Sequence, residues 1–326
     1  MKVLIVVVAI LMFVGVAVKS RHSLSPSQQK NAVVVSSISS PKVVQEKPKK
    51  RVVLIATGDV VPGRSVNYQM VKFNNFKWSF EKVNDVLASG DITVVNFEVP
   101  LVKNCPTTVE GMVFCGREEA VSGLVASGVD VVTLANNHIS DYGVAGIENT
   151  VRLMRENGVE TVGYFLGESS KGEVLYKTVN DTKFAFLAFN NIYGSIPPIL
   201  KADKEVIERL VGEARKNADV VVVSMHWGVE YQAVPDDRQV ELAHLVADAG
   251  ADLIIGNHPH WVQNDEQYKN TYIKYAHGNL VFDQMWSEET KKGVIGKYTF
   301  ENGKLVATEF IPTYIKDYGQ PQIVID

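Results

Sequence analysis

Cysteine is nearly absent from this 326-residue chain: its two residues, Cys105 and Cys115, lie ten positions apart. A fold stapled by several disulfides is excluded. Two thiols so close, and alone, are expected to pair in an oxidising compartment; two free buried thiols in a cytoplasmic protein is the other reading. Basic charge is scarce as well where folding begins. The formal net charge is -4, but Lys2 and eight basic residues between positions 19 and 51, set against Glu46 alone, leave roughly -12 for everything from Val52 onward. That deficit argues against a nucleic-acid-binding domain. Apolar material is not lacking. At 46% hydrophobic and 9% aromatic, the chain can bury a large core, as one big domain or two small ones, and disorder is excluded for most of it.

The uncharged run at the N-terminus, residues 3–18, is long for a signal core and slightly short for a spanning helix. No convincing small-residue cleavage site follows, so residues 1–19 are expected to be an uncleaved membrane anchor, with a cleaved signal as the alternative. Lys19, Arg21 and Lys30 just beyond would by the positive-inside rule stay in the cytoplasm, so charge leaves the orientation open. Residues 20–50, rich in Ser, Pro, Lys and Val without helical period, read as a flexible basic tether.

From residue 51 to 326 the pattern changes. Apolar runs of strand length at 52–56, 92–97, 129–135, 219–225 and 252–256 alternate with helical periods at 80–88, 145–156 and 240–249, which predicts an α/β sheet flanked by helices. Further strands are expected at 174–179, 183–189, 272–276, 294–300 and 304–311, the last two forming a hairpin around Asn302-Gly303. Two stretches echo each other. LVASGVDVVTLANNH (124–138) and LVADAGADLIIGNHPH (245–260) both run from helix end through Gly and Asp into an apolar strand that ends in Asn and His.

Polar chemistry collects at such strand ends: Asp59, Glu98, Asn137 with His138, His226, and His258 with His260. In open α/β sheets ligands bind beyond the carboxyl ends of strands. Carboxylate, amide oxygen and imidazole are the donors of divalent Mn, Fe or Zn, so one or two such ions are expected. His258 and His260, two apart, face the same way in an extended segment. Any one of these could be a hydrogen-bonded structural residue; five strand ends closing on ligand types is hard to obtain from packing alone. Arg64 could clamp a carboxylate or phosphate with its planar fork, or be a surface residue on a first helical turn. Trp227, Tyr231 and Trp261 flank the histidines, either lining a groove or packing inside. Among the other histidines, His22 falls in the tether, His244 mid-helix and His277 before a Gly-Asn pair.

GDVVPGR (58–64), NFEVPL (96–101), LANNHISDYG (134–143), HWGVEY (226–231), GNHPHWVQ (256–263) and HGNLVFDQ (277–284), six motifs in order, resemble the CapA family of bacterial capsule synthesis, or poly-γ-glutamate biosynthesis, proteins. That family is similar to the calcineurin-like metallophosphatases, which implies a four-layer α/β/β/α sandwich. The resemblance implies that Asp59 and His260 hold one ion, that Glu98 bridges, and that Asn137, His226 and His258 hold the second, with His138 as general acid or substrate-orienting residue. Metallophosphatases carry Asp-x-His at the first motif, whereas Asp59 is followed by Val60 and Val61, which predicts a weaker site there. The function implied is that of a membrane-tethered, extracytoplasmic protein handling an anionic polymer such as poly-γ-glutamate in synthesis, release or export, by metal-dependent hydrolysis or transfer and beside other synthesis-complex proteins. A metallophosphoesterase, or a non-catalytic scaffold of the synthesis complex, are the alternatives.

Overall fold

A computed structural model describes residues 50–167 and 173–325; the expected anchor and all of the expected tether but Lys50 lie outside them. Among the described residues the strands run β1 (Arg51–Val60), β2 (Ile92–Phe97), β3 (Leu101–Val102), β4 (Gly116–Arg117), β5 (Val131–Thr133), β6 (Glu160–Val162), β7 (Leu175–Val179), β8 (Thr182–Asn190), β9 (Val220–His226), β10 (Leu253–Asn257), β11 (Asp265–Tyr268), β12 (Thr271–Lys274), β13 (Asn279–Val281), β14 (Lys292–Glu301), β15 (Lys304–Lys316) and β16 (Gln320–Ile323). The helices are α1 (Arg64–Phe73), α2 (Asn84–Leu87), α3 (Val121–Ala126), α4 (Gly143–Glu156), α5 (Lys204–Asn217) and α6 (Asp237–Ala249). None is long and apolar enough to cross a membrane.

The strands form two large sheets rather than one. The first runs β16-β15-β14-β1-β2-β5-β6, with β13 also paired to β1; the second runs β11-β12-β10-β9-β8-β7. In the second, alternate residues sort cleanly to two cores. Val220, Val222, Leu253 and Ile255 join the core containing the first sheet, while Val221, Val223 and Ile254 join Leu210, Val211, Leu242 and Val246 from α5 and α6. A strand buried on both faces reads as a continuous apolar run, which is why VVVV and LIIG show no polar alternation. Burial of a Val or Leu side chain is worth about 1.5–3 kcal/mol. The sequence VVVV therefore anchors two layers at once.

Local chemistry sets the ends. α6 opens on a capping box, with the Asp236 side chain accepting from Gln239 N–H and the Gln239 side chain accepting in return from Asp236 N–H, and it closes on Gly250 in the left-handed region. The hairpin at Asn302 and Gly303 has both residues at positive φ, 51° and 77°, as a two-residue turn between β14 and β15 requires. The helix expected over 80–88 is shorter, a 3-10 turn at Trp78–Phe80 followed by α2. Val83, at φ -122°, lies outside helical geometry and interrupts it.

Candidate metal centre

Register brings the polar strand ends into two rows. On the first sheet Asp59 is aligned with Asn96 of β2 and Asn279 of β13. On the second, His226 of β9 is aligned with Asn190 of β8 and Asn257 of β10. The rows meet where Asn257 Nδ2 donates to Thr57 O, 3.3 Å. Within each sheet a glycine beside the row permits close backbone packing. A Cβ on Gly58 would sit 2.0 Å from Gly278 O, and one on Gly256 would sit 1.8 Å from Tyr275 O.

Glu98, Asn137 and His226 converge. His226 Nε2 lies 2.8 Å from Asn137 Oδ1 and 3.3 Å from Glu98 Oε1. The Glu98 oxygen is buried and has no hydrogen-bond partner, and neither has Nδ1 of the buried His258. Glu98, His226 and His258 each offer a ligand atom within 4.8 Å of the others. A buried carboxylate oxygen left without a hydrogen costs about 1–3 kcal/mol or more, so this donor set fits a cation that the protein itself does not supply.

Asp59 and His260 form the adjoining pair, with Asp59 Oδ2 3.1 Å from His260 Nδ1. Burial works against both charges. It is outweighed: the hydrogen bond and charge of His260, helped by His226 and Asn96, hold the Asp59 carboxyl below its ordinary range. Likewise Asp59, then Glu98 and Glu230, raise His260 to about 9. His258 behaves oppositely. Burial and the neighbouring His226 and His260 push it well below the usual imidazole value, so it is neutral.

The LANNH segment divides its labour residue by residue. Asn136 is structural, accepting from Ile139 N–H and donating to Phe97 O. Asn137 faces His226, and His138 places Nδ1 2.9 Å from Asp141 Oδ2, with its ring 4.2 Å from that of Phe114. Arg64, read either as an anion clamp or as a surface residue, is engaged within the fold. Its Nε and Nη2 bond Asp283, Nη1 donates to Gly111 O, and its guanidinium lies over the Phe114 and Phe282 rings. Trp227 is core, fully buried with Nε1–H donated to Tyr275 O. Tyr231 instead stands between the rings of His260, Trp261 and the exposed Trp286. Of the remaining histidines, His244 is stacked on Tyr268 and paired with Glu266, and His277 is fully buried.

Two residues outside the expected set belong to the site. Asn96 donates to Asp59 Oδ1 at 2.8 Å and lies 3.4 Å from both Glu98 Oε2 and His226 Nδ1, joining the two pairs. Its signal was position, two residues before Glu98 on the same strand end. Glu230 offers an oxygen beside His258 and His260. It stands mid-loop in HWGVEY, where no period marks it.

The six motifs, from residue 58 to 284, all fall within one match to a known family. Residues 53–284 match the family described as bacterial capsule synthesis protein PGA_cap. A capsule biosynthesis protein CapA of Bacillus anthracis is 32% identical over 298 residues, 86% of this chain and 71% of that one. A PGA biosynthesis protein CapA of Bacillus subtilis (strain 168) is 34% identical over 257 residues, covering 76% and 67%. Among solved structures, a phosphatase from Mycoplasma pneumoniae shares a TM-score of 0.52 at 13% identity, over 83% of this chain and 94% of that one. A hypothetical protein from Thermus thermophilus gives 0.51 at 16%, over 82% and 100%. At those identities the likeness is one of fold.

Proposed function

We propose, from the premise that this chain belongs to the bacterial capsule synthesis protein family, that it handles an anionic polymer of the poly-γ-glutamate kind during synthesis, release or export, through a divalent-cation centre. The observation that carries this is the convergence of His226 Nε2, Asn137 Oδ1 and a buried Glu98 Oε1 that accepts no hydrogen bond, at the ends of two sheets. Glu98, Asn137, His226 and His258 would hold the ion. A divalent cation in such a site supplies Lewis acidity toward a carbonyl or phosphoryl oxygen and activates water near neutral pH. His138, whose Nδ1 is engaged by Asp141, has Nε2 left to give or take a proton. The N-terminal run is proposed to tether the protein to the cell membrane with its folded part outside the cytoplasm. The Cys105–Cys115 disulfide supports that side, because such bonds persist in oxidising compartments.

The test is substrate choice by the full chain loaded with Mn or Zn. Binding or cleavage of poly-γ-glutamate is expected, with little turnover of bis(p-nitrophenyl) phosphate, and His138→Ala should remove cleavage while keeping the metal. Strong metal-dependent hydrolysis of the phosphodiester with no effect on the polymer would make the protein a phosphoesterase. Polymer binding without turnover under any metal would make it a scaffold.

A further inference from the structure

Tyr231 is fixed to the metal centre at both ends. It stands in the loop between β9 and α6 at φ 61°, a left-handed conformation that costs a non-glycine residue energy and tends to be kept where a site requires it. Its N–H donates to Pro259 O at 2.9 Å, in the turn between His258 and His260. Its hydroxyl accepts from Gln284 Nε2 at 3.3 Å. Gln284 Oε1 in turn accepts from Asn279 Nδ2 at 3.1 Å, and Asn279 Oδ1 lies 2.9 Å from His260 Nδ1. Main chain and side chain alike hold the ring where it is.

From there the aromatic surface runs outward. The Tyr231 ring lies 6.3 Å from that of His260 and 6.1 Å from that of Trp286, to which it is nearly perpendicular at 84°, with Trp261 at 6.4 Å. Tyr231 is half-buried and Trp286 is 60% exposed, so apolar ring surface stands open beside the centre, available to a ligand. Charge gives a polyanion little reason to lie on this wall. Glu230 precedes Tyr231 in the chain, and Arg64, close enough to act on Tyr231, is held by Asp283.

What such a wall can hold is methylene. In a γ-linked glutamate chain the two methylenes of each residue lie in the main chain, so the chain can lie along the rings with its carboxylates turned aside. In the α-linked isomer the same methylenes end in a carboxylate, and laying them on the rings would bring that charge down with them and strip it of water. We propose that Tyr231 and Trp286 form a subsite beside the cation centre that packs the main-chain methylenes of an anionic γ-linked polymer and selects that linkage over the α-linked one. The proposal rests on the reading that this centre handles such a polymer. Cations at the centre supply affinity for the polymer's charge, and the rings supply the choice of linkage.

Binding of poly-γ-glutamate and of α-linked polyglutamate of matched length to the Mn²⁺-loaded full chain tests this, because the two polymers carry the same charge per residue. The parent is expected to bind the γ-linked polymer more tightly by about 10-fold or more. Trp286→Ala should weaken that binding by about 10-fold and leave the α-linked polymer nearly unaffected, so that the preference disappears. Trp286→Phe, which keeps an aromatic face, should retain most of it. Bound metal and thermal midpoint should match the parent in both variants. Equal binding of the two linkages by the parent, or a preference that survives in Trp286→Ala, overturns the proposal and leaves the polymer reading standing. A metal-loaded parent that binds neither polymer overturns both.

Discussion

His277 shows what burial does to an imidazole that no acid contacts. It is fully buried, with Nδ1 3.2 Å from Gly256 O and Nε2 2.9 Å from Tyr298 Oη. Burial, then the charge of Lys274, lowers it to about 3, against weak opposition from the Gly256 carbonyl and from Asp59. A folded value below the unfolded 6.5 means that the unfolded chain binds the extra proton between those limits. The native state is therefore favoured above pH 6.5 and loses about 1.4 kcal/mol per pH unit as pH falls toward 3. Unfolding free energies from urea denaturation at pH 7 and pH 5 should diverge more in the parent than in His277→Gln, by about 2 kcal/mol. Equal pH dependence in the two proteins would show that His277 does not carry this effect. His260, also buried, moves the opposite way because Asp59 is in contact with it, with Glu98 and Glu230 adding to the effect. The two differ by partner, not by residue type, and a sequence states the type alone.

At the scale of elements, the loop between β3 and β4 does most to shape the surroundings of His138. The Cys105–Cys115 disulfide closes it; Phe114, beside Cys115, donates its N–H to Asp141 Oδ2 at 2.6 Å, the same oxygen that holds His138 Nδ1. Closing so short a loop is worth roughly 2–3 kcal/mol. Cys105→Ser/Cys115→Ser should lose about that much in urea denaturation and should lower cleavage of the polymer while leaving bound metal unchanged. Unchanged stability on removing the bridge would refute the first part, and unchanged cleavage the second. Strand ends were legible because each ligand type directly follows an apolar run, as His226 follows VVVVSM and His258 follows LIIGN. Partners across the fold were not. Asp283, which takes the fork of Arg64, is 219 residues away, and Glu230 reaches its histidines through one backbone bond from Tyr231. Adjacency of that kind comes from tertiary packing and leaves no period to read.

For the whole molecule, α/β alternation foretold parallel strands and helices, while the division into two facing sheets came with the family resemblance. It rests physically on β8, β9 and β10, whose two faces enter different cores. Each sheet delivers one row of side chains to a common edge, so the centre exists only when both sheets are in register. An acidic folded part proposed to handle a polyanion would need positive charge, and bound cations would be its most direct source. Metal content of the full chain after incubation with Mn or Zn and removal of free ion is the most direct measurement of this account. At least one ion per chain is expected, falling strongly in His226→Ala and in Glu98→Gln at unchanged secondary structure. A folded parent that retains no metal under either condition would contradict it.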